Sequence, residues 1–349
     1  MKVGIIGASG YVGGELLRIL SYHPEIEIVV ATSEQYKDEY VYRVHPNLRG
    51  TTNIKFTSHD ENINGKCDII FTAVPHGSSV KIIPKLIEMG ITIIDMAADF
   101  RLKNPEDYIK WYNYNHPNPE LLDKFTYGLP ELHRNELVGS KLIATPGCMA
   151  LTSILALAPL IKNKIIEKNN IIIDSKIGAS GGGVKPSTAT HYPERYGVVR
   201  PYKPVGHRHI GEIEQELSIL SGNQIKISMS PHGVNMVRGI LCTIHTFSRN
   251  VISTSDIWKI YKTFYENEPF IRLIRDKRSI HKFPDPKILS GSNYCDIGFE
   301  KDNNVNRIVL LSATDNLMKG AAGNGVQCMN IAMGFKEETA LEFPGLHPV

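Results

Sequence analysis

Three groups of residues in this 349-residue chain are of types that do chemistry. Cys148 follows Ala144-Thr145-Pro146-Gly147 and precedes an apolar, helix-forming run over 149–161. Pro and Gly bend the chain, so the spacing predicts a thiol at or next to the N-terminus of that helix. Orphan amide N–H groups and the positive dipole end favour thiolate over thiol there, which makes a cysteine nucleophilic near neutral pH. A lone cysteine is more often a small buried apolar residue; what argues otherwise here is its company. His207 and His209 stand in Gly206-His207-Arg208-His209-Ile210-Gly211-Glu212, which opens a helix running to about Leu220. Imidazoles titrate where acid–base catalysis works. If the helix begins near His209, Glu212 falls on the same face one turn later and could orient that ring. His209 is therefore the favoured acid/base group and His207 the alternative. The third group is Gly7-Ala8-Ser9-Gly10-Tyr11-Val12-Gly13. Its G-x-x-G-x-x-G spacing is a close variant of the dinucleotide fingerprint, in which glycines let backbone amides approach a pyrophosphate at a helix N-terminus.

The elements that must position these groups follow from the hydrophobic pattern. Residues 2–6 read as a buried strand leading into the glycine loop and a helix over 14–20, the context the fingerprint requires. A second strand, 26–31, should end beside the adenosine ribose. An NAD site usually places a carboxylate at that strand end. Here it ends in Ala31-Thr32-Ser33, then Glu34, Gln35 and, further on, Lys37. Small hydroxyls and a nearby cation suit a 2′-phosphate, so the expected cofactor is NADP. Strands at 67–73 and 92–95 flank a helix over 79–89, and Asp99 and Arg101 follow as either a local ion pair or part of an active cleft. Residues 104–134, rich in Pro, Tyr and His, read as a long surface excursion before a strand at 141–144 delivers Cys148.

Beyond Asn170 the pattern changes to strands at longer intervals, as in an α+β domain with a mostly antiparallel sheet. A strand at 171–177 runs into Gly178-Ala179-Ser180-Gly181-Gly182-Gly183, a loop that lets a substrate approach the backbone closely. Lys203, Arg208 and Arg238 are, by charge type, the candidates for holding a phosphate or carboxylate; Arg238 could equally be a sheet-edge cation. Asp315-Asn316-Leu317-Met318-Lys319-Gly320-Ala321-Ala322-Gly323 opens a helix of small residues to about Met333. Asn316 at its start could cap the helix or meet a nicotinamide amide.

Composition bounds the rest. Hydrophobic residues at 42% and charged residues at 21% describe an ordinary globular chain long enough for two domains. A net charge of +3 is too mild for nucleic acid and permits an anionic substrate or acidic partner. Five scattered cysteines without a CxxC pair argue against a disulfide framework or a zinc site and for a reducing, cytoplasmic setting. The apolar run over 142–161 is broken by Pro and Gly and is not expected to span a membrane.

Together, the glycine loop, Pro146-Gly147-Cys148, the His-Arg-His-x-x-Glu stretch and the Asn316 helix resemble the aspartate-semialdehyde dehydrogenase and N-acetyl-glutamyl-phosphate reductase superfamily. Within it the chain is most similar to the [LysW]-aminoadipate 6-phosphate and [LysW]-glutamate phosphate reductases. The stretches at 44–50, 191–195, 206–209, 293–300 and 343–348 carry that likeness. The resemblance implies an α/β fold. A Rossmann NADP-binding domain (1–147 with the returning C-terminal part, 317–349) would be joined to an α+β catalytic and dimerisation domain (148–316). It implies Cys148 as nucleophile, His209 as acid/base and Asn316 as a cofactor contact. It further implies a homodimer or homotetramer, and a substrate carried by a small acidic carrier protein of the LysW type. The alternative is free N-acetyl-glutamyl phosphate. The bacterial enzymes for that compound carry a Ser-Gly-Ala-Gly-Arg loop where this chain has Ala179-Ser180-Gly181-Gly182-Gly183-Val184-Lys185, which favours the carried substrate.

Overall fold

The computed structural model describes residues 1–59 and 63–348 and divides the chain into two compact units. The first is built from residues 1–109, 114–146 and 321–343, the second from 110–113, 147–320 and 344–348.

Six strands form the sheet of the first unit: β1 (Lys2–Ile6), β2 (Glu27–Ala31), β3 (Ile69–Thr72), β4 (Thr92–Asp95), β5 (Thr126–Tyr127) and β6 (Leu142–Ala144). All pair in parallel, in the order β2-β1-β3-β4-β6-β5. The strands are short and apolar because parallel sheets are covered on both faces; β3 and β4 are buried at every position. The strand order reverses at β1, so the loop after β1 lies at the switch point where such sheets bind ligands. That loop feeds the Tyr11–Leu20 helix. The Gly323–Met333 helix returns from the far end of the chain and is buried along nearly its whole length, against the Tyr11–Leu20 and Pro130–Leu137 helices.

The expected surface excursion over 104–134 is not one. It folds into helices Pro105–Tyr112 and Pro130–Leu137, a short 3-10 turn and β5. Tyr108, Phe125, Tyr127 and Leu129 are core residues. The polar groups that suggested a surface are satisfied inside: the Leu102 amide donates to Tyr108 Oη at 3.0 Å, and His116 Nε2 sits 2.7 Å from the Asp99 carbonyl oxygen.

The second unit carries a seven-stranded mixed sheet: β7 (Ile171–Ile177), β8 (Val199–Pro201), β9 (Ile227–Val234), β10 (Ile240–Phe247), β11 (Ile271–Leu273), β12 (Cys295–Asp302) and β13 (Arg307–Thr314). Its order is β11-β12-β13-β10-β7-β9-β8. The β12-β13, β13-β10, β10-β7 and β9-β8 pairs are antiparallel, and β11-β12 and β7-β9 are parallel. Alternate residues of β7 and β10 are fully buried, as the pleat requires. Helices Cys148–Lys162 and Thr254–Phe264 supply cover: the first lies on β10 and β13, and Tyr261 Oη of the second donates to the Ala156 carbonyl at 2.5 Å. Among the described residues no helix is long and apolar enough to cross a membrane.

Candidate active site

Cys148 is the first residue of the Cys148–Lys162 helix, with Gly147 in extended backbone (φ −69°, ψ 143°) as its N-cap. Residues 149–161 are buried on all sides, which fixes the helix while leaving Cys148 itself partly exposed. The Cys148–Lys162 helix lies against the His209–Ser221 helix, and this contact assembles the site.

His209 is the first residue of its helix and Glu212 lies one turn on; both are buried. The Gly147 amide donates to Glu212 Oε2 at 2.8 Å. A Cβ built on Gly147 would lie 2.7 Å from His209 Cδ2 and 2.9 Å from Glu212 Oε1, with His209 Nε2 nearer still. The imidazole and the carboxylate therefore both press on the residue before the thiol. Glu212, expected beside His209, also holds the turn that presents Cys148.

His207 packs edge-on against His209, ring centroids 4.8 Å apart, and its Nδ1 accepts the His209 amide at 3.2 Å. Burial first, then the cations of Arg208 and Lys203, push the His207 pKa down to about 4. His207 is thus neutral at working pH. The side chains of both cations are exposed. Tyr202, unassigned by the sequence, reaches into this group: its Oη is 3.4 Å from His207 Nε2 and 4.0 Å from Met149 Sδ. Its place in a turn-rich basic stretch gave no sign of that.

Arg238 pairs with the fully buried Asp315 at 3.2 Å. Asp315 Oδ2 also accepts from the Gly291 amide at 2.7 Å, and Oδ1 from Leu317 and Met318 amides at 2.8 and 3.3 Å. This carboxylate organises the π-helical turn Met318–Ala322, in which a Cβ on Gly320 would crowd Cys148 Cβ at 2.9 Å. Asn316 is 2% exposed; its Oδ1 accepts the Gly239 amide at 2.8 Å and its Nδ2 donates to Ser180 Oγ at 3.0 Å. The structure thus places the predicted cofactor contact inside a bond set tying three segments of the second unit together.

In the first unit each loop glycine has its own reason. Gly7 has φ +84°, and a Cβ would meet the Ala73 carbonyl oxygen at 2.5 Å. Gly13 is pressed on Ala8 Cα at 2.6 Å, whereas around Gly10 only the Gly7 oxygen lies near, at 3.6 Å. Tight turn, open approach and close helix packing are the three roles a dinucleotide loop asks of its glycines, so these residues fit such a group. Tyr11 and Val12 begin the helix behind it. Ser33 Oγ donates to Ser9 Oγ at 2.8 Å, and the Gly7 amide donates to Thr32 Oγ1 at 3.2 Å. Glu34 and Gln35 are exposed beyond the strand, Glu34 Oε1 accepting the His59 amide. Asp99 and Arg101 are both buried and bonded inward. Asp99 accepts from the Gly77 amide and Ser79 Oγ, each at 2.8 Å, and Arg101 donates to the Thr145 and Met96 carbonyls at 2.6 and 3.0 Å.

Comparison with known proteins agrees with the fold. Residues 2–140 match the semialdehyde dehydrogenase NAD-binding domain, and residues 148–316 match the semialdehyde dehydrogenase dimerisation domain. Among solved structures, aspartate semialdehyde dehydrogenase II from Vibrio cholerae is similar in fold. Its TM-score is 0.72 at 19% identity, with 95% of this chain and 97% of that one covered. The chain belongs to the semialdehyde dehydrogenase family and is an oxidoreductase. Its similarity to curated proteins is more specific. It is 54% identical, over the full length of both chains, to a protein of Nitrosopumilus maritimus named putative [LysW]-L-2-aminoadipate/[LysW]-L-glutamate phosphate reductase. It is 50% identical to the [LysW]-L-2-aminoadipate/[LysW]-L-glutamate phosphate reductase of Saccharolobus solfataricus, over 100% of this chain and 99% of that one.

Proposed function

We propose that the protein reduces a carrier-linked acyl phosphate, [LysW]-aminoadipate 6-phosphate or [LysW]-glutamyl phosphate, to the semialdehyde in lysine or arginine biosynthesis, with NADPH as reductant. The observation that carries this reading is the shared turn at Gly147–Cys148. A thiol at a helix N-terminus has the His209 ring and the Glu212 carboxylate packed against the residue before it. The two [LysW] phosphate reductases described above as relatives support the substrate.

The Cys148 thiolate attacks the acyl carbon, the C–O bond to phosphate breaks, and a thioester forms as phosphate leaves. NADPH, when bound, supplies hydride to the thioester carbonyl. His209 gives the proton taken up by the oxygen and withdraws it as the thiohemiacetal collapses, releasing the aldehyde and restoring the thiolate. Glu212 keeps the turn and the imidazole in register. Lys203, Arg208 and Arg238 are assigned to the substrate's anionic groups. In the first unit the glycine loop, Ser9, Thr32 and Ser33 hold the dinucleotide, with Glu34 and Gln35 as further contacts; Asn316, which belongs to the second unit, is assigned to the cofactor by the family likeness.

A carrier needs a surface to dock on. Between Gly183 and His209 the chain has Lys185, Arg195, Arg200, Lys203 and Arg208 against one carboxylate, Glu194. The same stretch exposes Tyr192, Tyr196, Val199, Tyr202 and Val205 and runs directly into His207. An acidic carrier suits this mixture of charge and apolar area. Rates with the carried substrate should fall with added salt, because electrostatic steering is screened. A second copy of the chain is assigned to the other face of the seven-stranded sheet, where Ile172, Leu241 and Phe247 are only partly covered; light scattering should find a dimer or a multiple of it.

The test follows NADPH formation from NADP and phosphate, with carrier-bound aminoadipate semialdehyde or free N-acetylglutamate semialdehyde as donor. Preference for the carried aldehyde, abolished by Cys148→Ser with NADPH binding kept, is the expected result. Preference for the acetylated compound makes this an arginine-pathway reductase, and turnover retained in Cys148→Ser removes the nucleophile.

A further inference from the structure

The segment 44–50 contributes to the family likeness, yet nothing in the chemistry above uses it. Its histidine reaches the glycine loop across 37 positions of sequence: His45 Nε2 lies 2.9 Å from the Ala8 carbonyl oxygen. A carbonyl accepts, so Nε2 carries the proton and donates. The ring also fills the space beside the first turn of the following helix. A Cβ on Gly14 would lie 2.5 Å from His45 Cε1 and 2.6 Å from Nδ1. Phe56 stands edge-on to the ring, centroids 6.5 Å apart. Burial lowers the imidazole's pKa from its ordinary value, which keeps it a neutral donor.

The consequence for the loop comes from peptide geometry. The Ala8–Ser9 peptide is planar and trans, so its carbonyl and the Ser9 N–H point in opposite directions. Holding the Ala8 oxygen on His45 therefore aims the Ser9 amide away from the ring. It is one of the amides that a loop of this kind offers to a pyrophosphate. The other side of the same loop is held separately, the Ala8 amide on the Thr32 carbonyl at 2.9 Å and the Gly7 amide on Thr32 Oγ1.

We infer that His45 is a positioning residue for dinucleotide binding: it fixes the Ala8–Ser9 peptide so that the loop amides face the pyrophosphate, and position 14 is glycine to admit its ring. The inference rests on the dinucleotide reading of the loop.

The test titrates NADPH and NADH into the protein by cofactor fluorescence, without substrate, for the wild type, His45→Ala, His45→Gln, Gly14→Ala and the Gly14→Ala/His45→Ala double variant. Loss of one orienting hydrogen bond should weaken both dinucleotides about tenfold in His45→Ala, with kcat at saturating cofactor within twofold of wild type. Glutamine, which keeps an N–H donor, should recover part of the loss. Gly14→Ala alone should weaken binding by pushing the ring aside. In the double variant it should add nothing, because the ring is gone. Unchanged affinity in His45→Ala overturns the inference, and so do additive losses in the double variant or a loss confined to NADPH. Should Gly14→Ala not fold, the alanine and glutamine variants at position 45 decide the matter. A wild-type protein that binds neither dinucleotide overturns the loop reading itself, a result distinct from all of these.

Discussion

Gly147→Ala is the sharpest probe of the proposed site, because its cost can be located before it is measured. The backbone at 147 lies in a region any L-residue adopts, so alanine brings no conformational penalty. Its N–H remains to bond Glu212. The whole effect is the methyl group, which would sit 2.7 Å from His209 Cδ2 and 2.9 Å from Glu212 Oε1, where carbon contacts are optimal at about 3.5–4.0 Å. Relief must come from moving the His209 ring or the Gly147–Cys148 turn. Overpacking by one such group costs about 1–3 kcal/mol. If the displaced groups are those that meet in the transition state, that cost appears in the barrier, at about 1.36 kcal/mol per decade. The expected loss in kcat/KM for the semialdehyde is then about 5- to 150-fold, with the Kd for NADPH unchanged. The assay is steady-state NADPH formation, paired with the rate of Cys148 alkylation as a direct reading of the thiol. Activity within twofold of wild type in a folded variant would refute the reasoning, since the neighbours of Gly147 would then have no part in the reacting geometry.

His207 gives a pH prediction of definite sign. Its pKa is about 4 when folded and about 6.5 when unfolded, so between those values the unfolded chain binds a proton the folded one refuses. Its contribution is present above pH 6.5 and is lost as the pH falls toward 4, up to about 3 kcal/mol; His207→Gln should show a smaller drop in urea midpoint from pH 7 to pH 5 than wild type, and an equal drop would contradict the burial argument. Asp315→Asn exchanges a buried acceptor of four donors for a group that must aim an NH2 at some of them. Stability should fall by about 2–3 kcal/mol in urea titration, and a neutral result would mean that Arg238 and the Met318–Ala322 turn do not depend on this carboxylate.

What could be read from sequence was what neighbours along the chain decide. Gly7, Gly10 and Gly13 were legible because their spacing is a local demand of one turn, and the position of Cys148 because Pro146 and Gly147 break the chain just before an apolar run. Long-range partners were not legible. Glu212 suggested His209 by its one-turn spacing, but nothing along the chain announced its bond to an amide 65 residues away. The bonds of Asn316 to Gly239 and Ser180, 77 and 136 residues distant, were equally invisible. Residues 104–134 were misread because Tyr, His and Pro mark surfaces on average. Buried hydroxyls and imidazoles with backbone partners escape that average. The parallel β7-β9 and β11-β12 pairs within a largely antiparallel sheet likewise depend on crossovers that a strand pattern does not reveal.

The route of the chain also sets an order in time. The parallel sheet is fully synthesised once Ala144 has been added, but the Gly323–Met333 helix that covers part of its unit comes last. At roughly 5–20 residues per second, the ribosome needs on the order of 10–40 s to make the intervening chain. During that interval the apolar sides of the Tyr11–Leu20 and Pro130–Leu137 helices lack their final neighbour, while the second unit emerges as an almost unbroken run. The unit begun first therefore gains its closing helix only after nearly all of the second has been made, and a nascent chain stalled before Gly323 would present it to chaperones and proteases without that helix.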